Sequence, residues 1–156
     1  MKFKELVEDL KEKESYKKFM SENPRAYICA GFFILSSAEK EGDKVQINLF
    51  IPSKKRIATF DYPFNNFFEH EDEIEKASEI EDFNFKLDIT GLKDFIKEKL
   101  KIEPLKIIGI LKDDIWNLTL LNGVDMRRLK VNAYTLEILE ENKGLLTDFI
   151  KFTKKD

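Results

Sequence analysis

The chain has 156 residues, 42% of them hydrophobic, with 27 basic and 30 acidic side chains and a net charge of −3. That size suits one compact domain or two very small ones sharing a core, and the composition excludes global disorder and the strongly basic balance of a nucleic-acid-binding domain. No run approaches the roughly 20 consecutive apolar residues that cross a bilayer.

Phe3, Leu6, Val7 and Leu10 recur at helical spacing and predict an amphipathic first helix. Ser15 is placed to cap a second helix carrying Tyr16, Phe19 and Met20, which ends at Asn23-Pro24 because proline pushes its predecessor out of the α region. Ala26 to Ser36 is apolar at both parities, as a strand covered on both faces would be. Val45, Ile47, Leu49 and Ile51 alternate as a half-buried strand, and Pro52 to Lys55 reads as a turn into a strand from Arg56 to Tyr62.

The composition then changes. Phe64 to Asp88 carries 2 basic and 9 acidic residues, whereas the segments before and after it carry 12 and 10, and 13 and 11. Ile74, Ala77 and Ile80 suggest a weak helix there, and Phe83, Phe85 and Leu87 a short strand. Thr90 is placed to cap a further helix bearing Leu92, Phe95, Ile96 and Leu100, with Asp94 favouring its N-terminal end. Strands follow from Leu105 to Leu111, Ile115 to Leu121 and Leu129 to Ala133, the last two joined by the Asn122-Gly123 turn. Thr135 to Leu139 continues as strand after a bend, and Leu145, Leu146, Phe149 and Ile150 predict a C-terminal helix beginning near Gly144.

The order helix, strand, strand, strand therefore occurs twice, and an internal repeat outranks other sequence signals. Each helix is followed by a proline, Pro24 or Pro104, and by an apolar run with one glycine, Gly31 or Gly109. Asn48-Leu49 and Asn117-Leu118 fall within the next strand of each. The expected fold class is α+β: tandem αβββ units, with antiparallel sheets each carrying a helix across one face. Residues 1–63 form the first unit with its extra N-terminal helix, 64–88 an acidic, aromatic-rich connection, and 89–156 the second unit with a C-terminal helix. Units of about 50–60 residues are marginal alone, so intimate packing of the pair is expected, with two separate sheets or one merged sheet as the alternatives. Apolar residues at both parities of Ile115 to Leu121 suggest that the sheet face away from the helix meets the sister repeat or a second subunit.

The second unit resembles the PepSY domain, a small cystatin-like helix-and-sheet module. The resemblance is carried by Asp94 to Leu100 as the helix, Pro104 to Gly109 and Ile115 to Thr119 as strands, and above all Leu129 to Leu139. That last segment is similar to the family's closing V-D-A-x-T-G-E-V-L pattern, with Asn132 in place of Asp and Leu136 in place of the turn glycine. The resemblance implies a binding or regulatory module, associated in some members with protease inhibition, and it brings no catalytic residues.

Chemistry-bearing residues are sparse. His70 is the single histidine, among Glu69, Glu71, Asp72 and Glu73, and consecutive residues cannot all converge on one ion, so a solvated loop is the better reading. Cys29 is the single cysteine, which excludes an internal disulfide and fits a reducing compartment; it lies in an apolar run without a base and reads as core. Asp113-Asp114 reads as turn chemistry. No enzyme activity, cofactor or metal is expected. Two surfaces carry the functional expectation. Tyr62, Phe64, Phe67 and Phe68 are a candidate interaction patch or else seal one end of the core. Lys54, Lys55 and Arg56, with Arg127, Arg128 and Lys130, are candidate anion-binding groups at two strand entries, or else exposed charges that guard against edge pairing. The expected function is a non-catalytic binding module that recognises protein or self-associates. Anion or nucleic-acid binding is the alternative, no membrane span is expected, and the start Met1-Lys2-Phe3-Lys4-Glu5 lacks a secretory signal, so a cytoplasmic location is expected.

Overall fold

A computed structural model describes residues 1–37 and 42–145. Two short helices, α1 (Phe3–Glu12) and α2 (Glu14–Glu22), precede four strands: β1 (Tyr27–Ser36), β2 (Lys44–Ile51), β3 (Arg56–Asp61) and β4 (Phe67–Glu69). After a 3-10 turn at Ile89–Gly91 come α3 (Leu92–Leu100) and four more strands: β5 (Lys106–Lys112), β6 (Ile115–Asn122), β7 (Asp125–Asn132) and β8 (Ile138–Leu145). All eight strands join in one antiparallel sheet of order β4-β3-β2-β1-β5-β6-β7-β8. The described residues are thus α+β, with three helices over a single sheet rather than two sheets each with its own helix. The merger runs through the β1–β5 ladder, where Gly31 pairs with Leu111, Phe32 with Ile110 and Phe33 with Gly109.

The helices cover one face. Phe3, Leu6, Val7 and Leu10 of α1, Phe19 of α2 and Leu92, Phe95 and Ile96 of α3 share a continuous core with inward residues from both ends of the sheet. Alternation places Phe33, Ile47, Leu49, Phe60, Leu111, Trp116, Leu118 and Val131 on that face. Aromatic rings dominate the contact: Phe3 meets Phe33 edge-on at 5.7 Å, and Phe19 meets Phe60 at 5.4 Å.

Several predicted elements take another form. Ser15 lies within α2, one residue after its start, and its hydroxyl donates to the Phe64 carbonyl. Thr90 sits inside the 3-10 turn, and the capping group is Asp88, whose Oδ1 accepts from the backbone N–H of Ile89 at 2.7 Å and of Phe3 at 2.8 Å. Residues 74–80 form no helix, because their backbone groups are taken elsewhere. Ile74 N–H donates to the Lys55 carbonyl, Ile80 N–H to that of Ile28, and the Ala77 carbonyl accepts from Tyr27 Oη. Phe83, Phe85 and Leu87 bury one side as alternation demands, but they run beside the sheet without a strand partner. The Leu87 N–H donates to the Ala133 carbonyl, and the Leu87 carbonyl accepts from Trp116 Nε1. Each set of three strands gains a fourth, β4 inside the acidic connection and β8 after residues 133–137, so the strand predicted from Thr135 begins at Ile138. Gly144 and Leu145 belong to β8 instead of opening a helix, and Leu146, Phe149 and Ile150 lie outside the described residues.

Candidate functional site

Among the described residues, no helix lies on the sheet's second face. At its centre stand Phe32 and Ile34 of β1 beside Ile110 and Ile108 of β5; three are half-buried and Ile110 is 37% exposed. The apolar run of β1 is therefore covered fully on one face and only partly on the other, a distinction that periodicity cannot make. Large exposed apolar groups at the middle of a sheet mark an interaction surface more often than isolated surface leucines do.

Over the β1–β3 side of this face, residues 70–80 form a strap. Ala77 packs on a small second cluster of Cys29, Ala30 and Phe50, and the Tyr27 hydroxyl holds the strap at 2.6 Å from the Ala77 carbonyl. Between strap and sheet runs a groove of about 510 Å³ lined by Cys29, Asn48, Ile57, Ile74, Ala77 and Ile110, among others. An adjoining hollow of about 310 Å³ includes Phe32, Gln46, Thr59, His70 and Asp72. On the β6–β8 side, a trough of about 300 Å³ includes Asn117, Thr119, Arg128, Lys130, Glu140 and Asn142.

Several polar groups on this face are internally committed. The Thr59 hydroxyl, 1% exposed, donates to Asn48 Oδ1 at 2.8 Å and lies 2.8 Å from His70 Nε2, so the imidazole is the donor in that contact. Burial pushes the Cys29 thiol up to about 12, which keeps it protonated and unreactive at neutral pH. Hydrogen bonds from Lys130 and Asn142 hold the Glu140 carboxyl below the ordinary carboxylate range. Among the described residues, no group of three or more His, Cys, Asp or Glu side chains could hold a metal ion.

The four aromatic candidates do not form one patch. Phe64 is fully buried and Phe67 is half-buried against Phe19 at 5.0 Å, both sealing the helix-side core. Phe68 points to the other face, 46% exposed with its ring 4.8 Å from His70. Tyr62, 48% exposed, rests edge-on against Phe64 at 5.4 Å. The basic candidates are also separated. The β2–β3 turn bearing Lys54 and Lys55 lies at the Tyr27 end of β1, while the β6–β7 turn lies at the Ser36 end. Carboxylates sit beside most of them: Lys54 is 3.0 Å from Glu69, Lys55 3.6 Å from Glu75, Arg127 3.8 Å from Glu141 and Lys130 3.3 Å from Glu140. Nor are the two groups in matching positions. Counted outward from the Phe32–Ile110 pair, Lys130 corresponds to Asp61 and Arg128 to Thr59, while Arg56 lies nearer the sheet's end. The same count places Asn117 opposite Ile110 and Gln46 opposite Phe32, so Asn48 and Asn117 are not counterparts.

Residues that patterning missed are Phe32, Ile110 and the Asn48–Thr59–His70 chain. The signal available for the first two was the both-parity apolar run. The third arises from strands whose pairing the sequence does not state.

No protein-family model matches the chain, and no curated protein matches it. Among solved structures, the chain is similar to a Clostridium difficile 630 protein provisionally described as a lipoprotein. The TM-score is 0.54 and the identity 10%, with 82% of this chain and 89% of that chain covered. At that identity the likeness concerns the fold, and it agrees with an α+β architecture.

Proposed function

We propose that this chain is a non-catalytic interaction module whose working surface is the uncovered sheet face, and that its recognition target is protein. The carrying observation is the apolar centre formed by Phe32, Ile34, Ile108 and Ile110, half-buried or exposed in the middle of a sheet whose other face is sealed. The protonated Cys29 thiol and the Thr59-bound His70 imidazole favour binding over nucleophilic chemistry.

The architecture belongs to the same proposal: two tandem helix-and-strand units, the first with an extra N-terminal helix and the second PepSY-like, joined edge to edge through β1 and β5. Two features support it. Each half begins with a helix, and Gly31 and Gly109 hold equivalent places across the β1–β5 ladder. A buried free cysteine favours the cytoplasm. The description of the similar Clostridium difficile protein as a lipoprotein favours the cell envelope instead. Fractionation of native cells distinguishes the two locations.

The test of function is substitution at the centre of the face. Ile110→Asp is expected to abolish partner binding without unfolding the chain, since the residue is already 37% exposed. Nucleic-acid binding would instead weaken steeply with salt and respond to Lys55→Glu and Arg128→Glu. Binding that ignores Ile110→Asp would remove the proposal.

A further inference from the structure

One row of the sheet complements its own image. In the ladder register Asp61, Gln46, Phe32, Ile110, Asn117 and Lys130 stand side by side across β3, β2, β1, β5, β6 and β7. All six alternate onto the uncovered face. The apolar pair Phe32–Ile110 is at the middle. One strand outward on either side is a carboxamide, Gln46 or Asn117. Two strands outward the charges are opposite: Asp61 on one side and Lys130 on the other.

An isologous interface requires a patch that fits itself after a two-fold rotation. A two-fold axis lying in the interface, parallel to β1 and β5, exchanges the two sides of the row. It would set Phe32 on the Ile110 of a second copy, Gln46 on Asn117, and Asp61 on Lys130. We propose that a second copy of this chain covers the open face, with the two sheets packed face to face and their strands aligned. This deepens the reading of that face as an interaction surface and rests on it.

The area of the face also agrees. Seven long strands at ordinary spacing give a face of roughly 750 Å² per subunit, close to the roughly 800 Å² per partner of a specific interface. Asp61 is exposed and held by Gln46 Nε2 at 2.6 Å, and Lys130 is exposed beside Glu140, so both charges are presented outward in fixed positions.

Sedimentation equilibrium of the full chain tests this, with circular dichroism to verify that each variant folds. At about 100 µM and low salt the wild type is expected as a dimer, by mass action. D61K and K130D should each weaken association about tenfold, and the chain carrying both should return to within about threefold of wild type, because opposite charges again meet across the axis. A wild type that is monomeric throughout, or a double variant no tighter than the singles, overturns the proposal. A photo-crosslinking phenylalanine in place of Ile110 separates this from the broader reading. Adducts between two copies in purified protein support the second copy. Adducts solely with a different protein in native extract overturn the second copy and leave the interaction surface standing. No adduct in either setting removes both.

Discussion

Gly31 and Gly109 hold the same station on the two sides of the central ladder: Gly31 pairs with Leu111, and Gly109 with Phe33. Both face the helix-side core, and in both an aromatic ring occupies the space a side chain would need. A Cβ at Gly31 would fall on the Phe3 ring and 2.8 Å from Phe33, and one at Gly109 would lie 3.0 Å from Trp116. The absence of a side chain is what lets the rings lie flat against the middle of the sheet.

Gly31→Ala is therefore expected to destabilise the fold by about 2–3 kcal/mol through overpacking, and Gly109→Ala by about 1 kcal/mol. Urea unfolding midpoints check this. Equal, negligible losses would mean that the rings shift freely.

Trp116 is the single tryptophan, fully buried, and its Nε1–H donates to the Leu87 carbonyl at 2.7 Å. Its fluorescence should be blue-shifted and protected from iodide until the chain unfolds. Trp116→Phe should cost about 2–3 kcal/mol, combining lost volume with an unpaired buried carbonyl.

Asp88 ties α1 to the entry of α3 by accepting from both Phe3 and Ile89. Asp88→Ala should cost about 2–3 kcal/mol, since charged acceptors give the stronger hydrogen bonds. It should also speed amide exchange at the start of α1 before the sheet is affected.

The Cys29 thiol provides a pH prediction. Burial pushes it from an ordinary 9.0 up to about 12. Between those values the unfolded chain releases a proton that the folded chain keeps, so stability falls as pH rises. The contribution is complete below about pH 9 and is lost toward pH 12. Cys29→Ala should flatten that slope, and alkylation at pH 8 should require prior unfolding.

Leu136 takes φ 68°, a left-handed conformation that glycine adopts without cost. The turn persists because Asn132 Oδ1 accepts from Tyr134 and Thr135, while the Leu136 N–H donates to the Asn132 carbonyl. Leu136→Gly should stay within about 1 kcal/mol of wild type, relief of strain offsetting lost packing, whereas Leu136→Val should cost about 1–2 kcal/mol. Thermal melts distinguish the two.

Much of this was legible in the sequence, and the limits have physical causes. Alternation located β2, the apolar run located β6, the second half of β7 was found from Leu129 onward, and Asp113-Asp114 turned as its chemistry suggested, both residues taking positive φ. The strap was misread as helical because Ile74, Ala77 and Ile80 fit helical spacing, yet each is anchored to a different part of the sheet. The Phe83-Phe85-Leu87 alternation was real burial without a ladder, which periodicity cannot separate from a strand. Among the candidate aromatics, Phe67 and Phe68 are neighbours that face opposite ways, so the expected cluster divides between core and surface. The Asp61–Lys130 row could not be seen before the pairing of six strands was known.

Hydrogen exchange followed by mass spectrometry across the β1–β5 seam is the most direct test of the account. Peptides covering 31–36 and 106–111 should be among the most slowly exchanging in the chain and should lose protection together, as the middle of one continuous sheet. Early or independent exchange of those two segments would contradict a joined sheet, and with it the apolar centre on which the proposed surface depends.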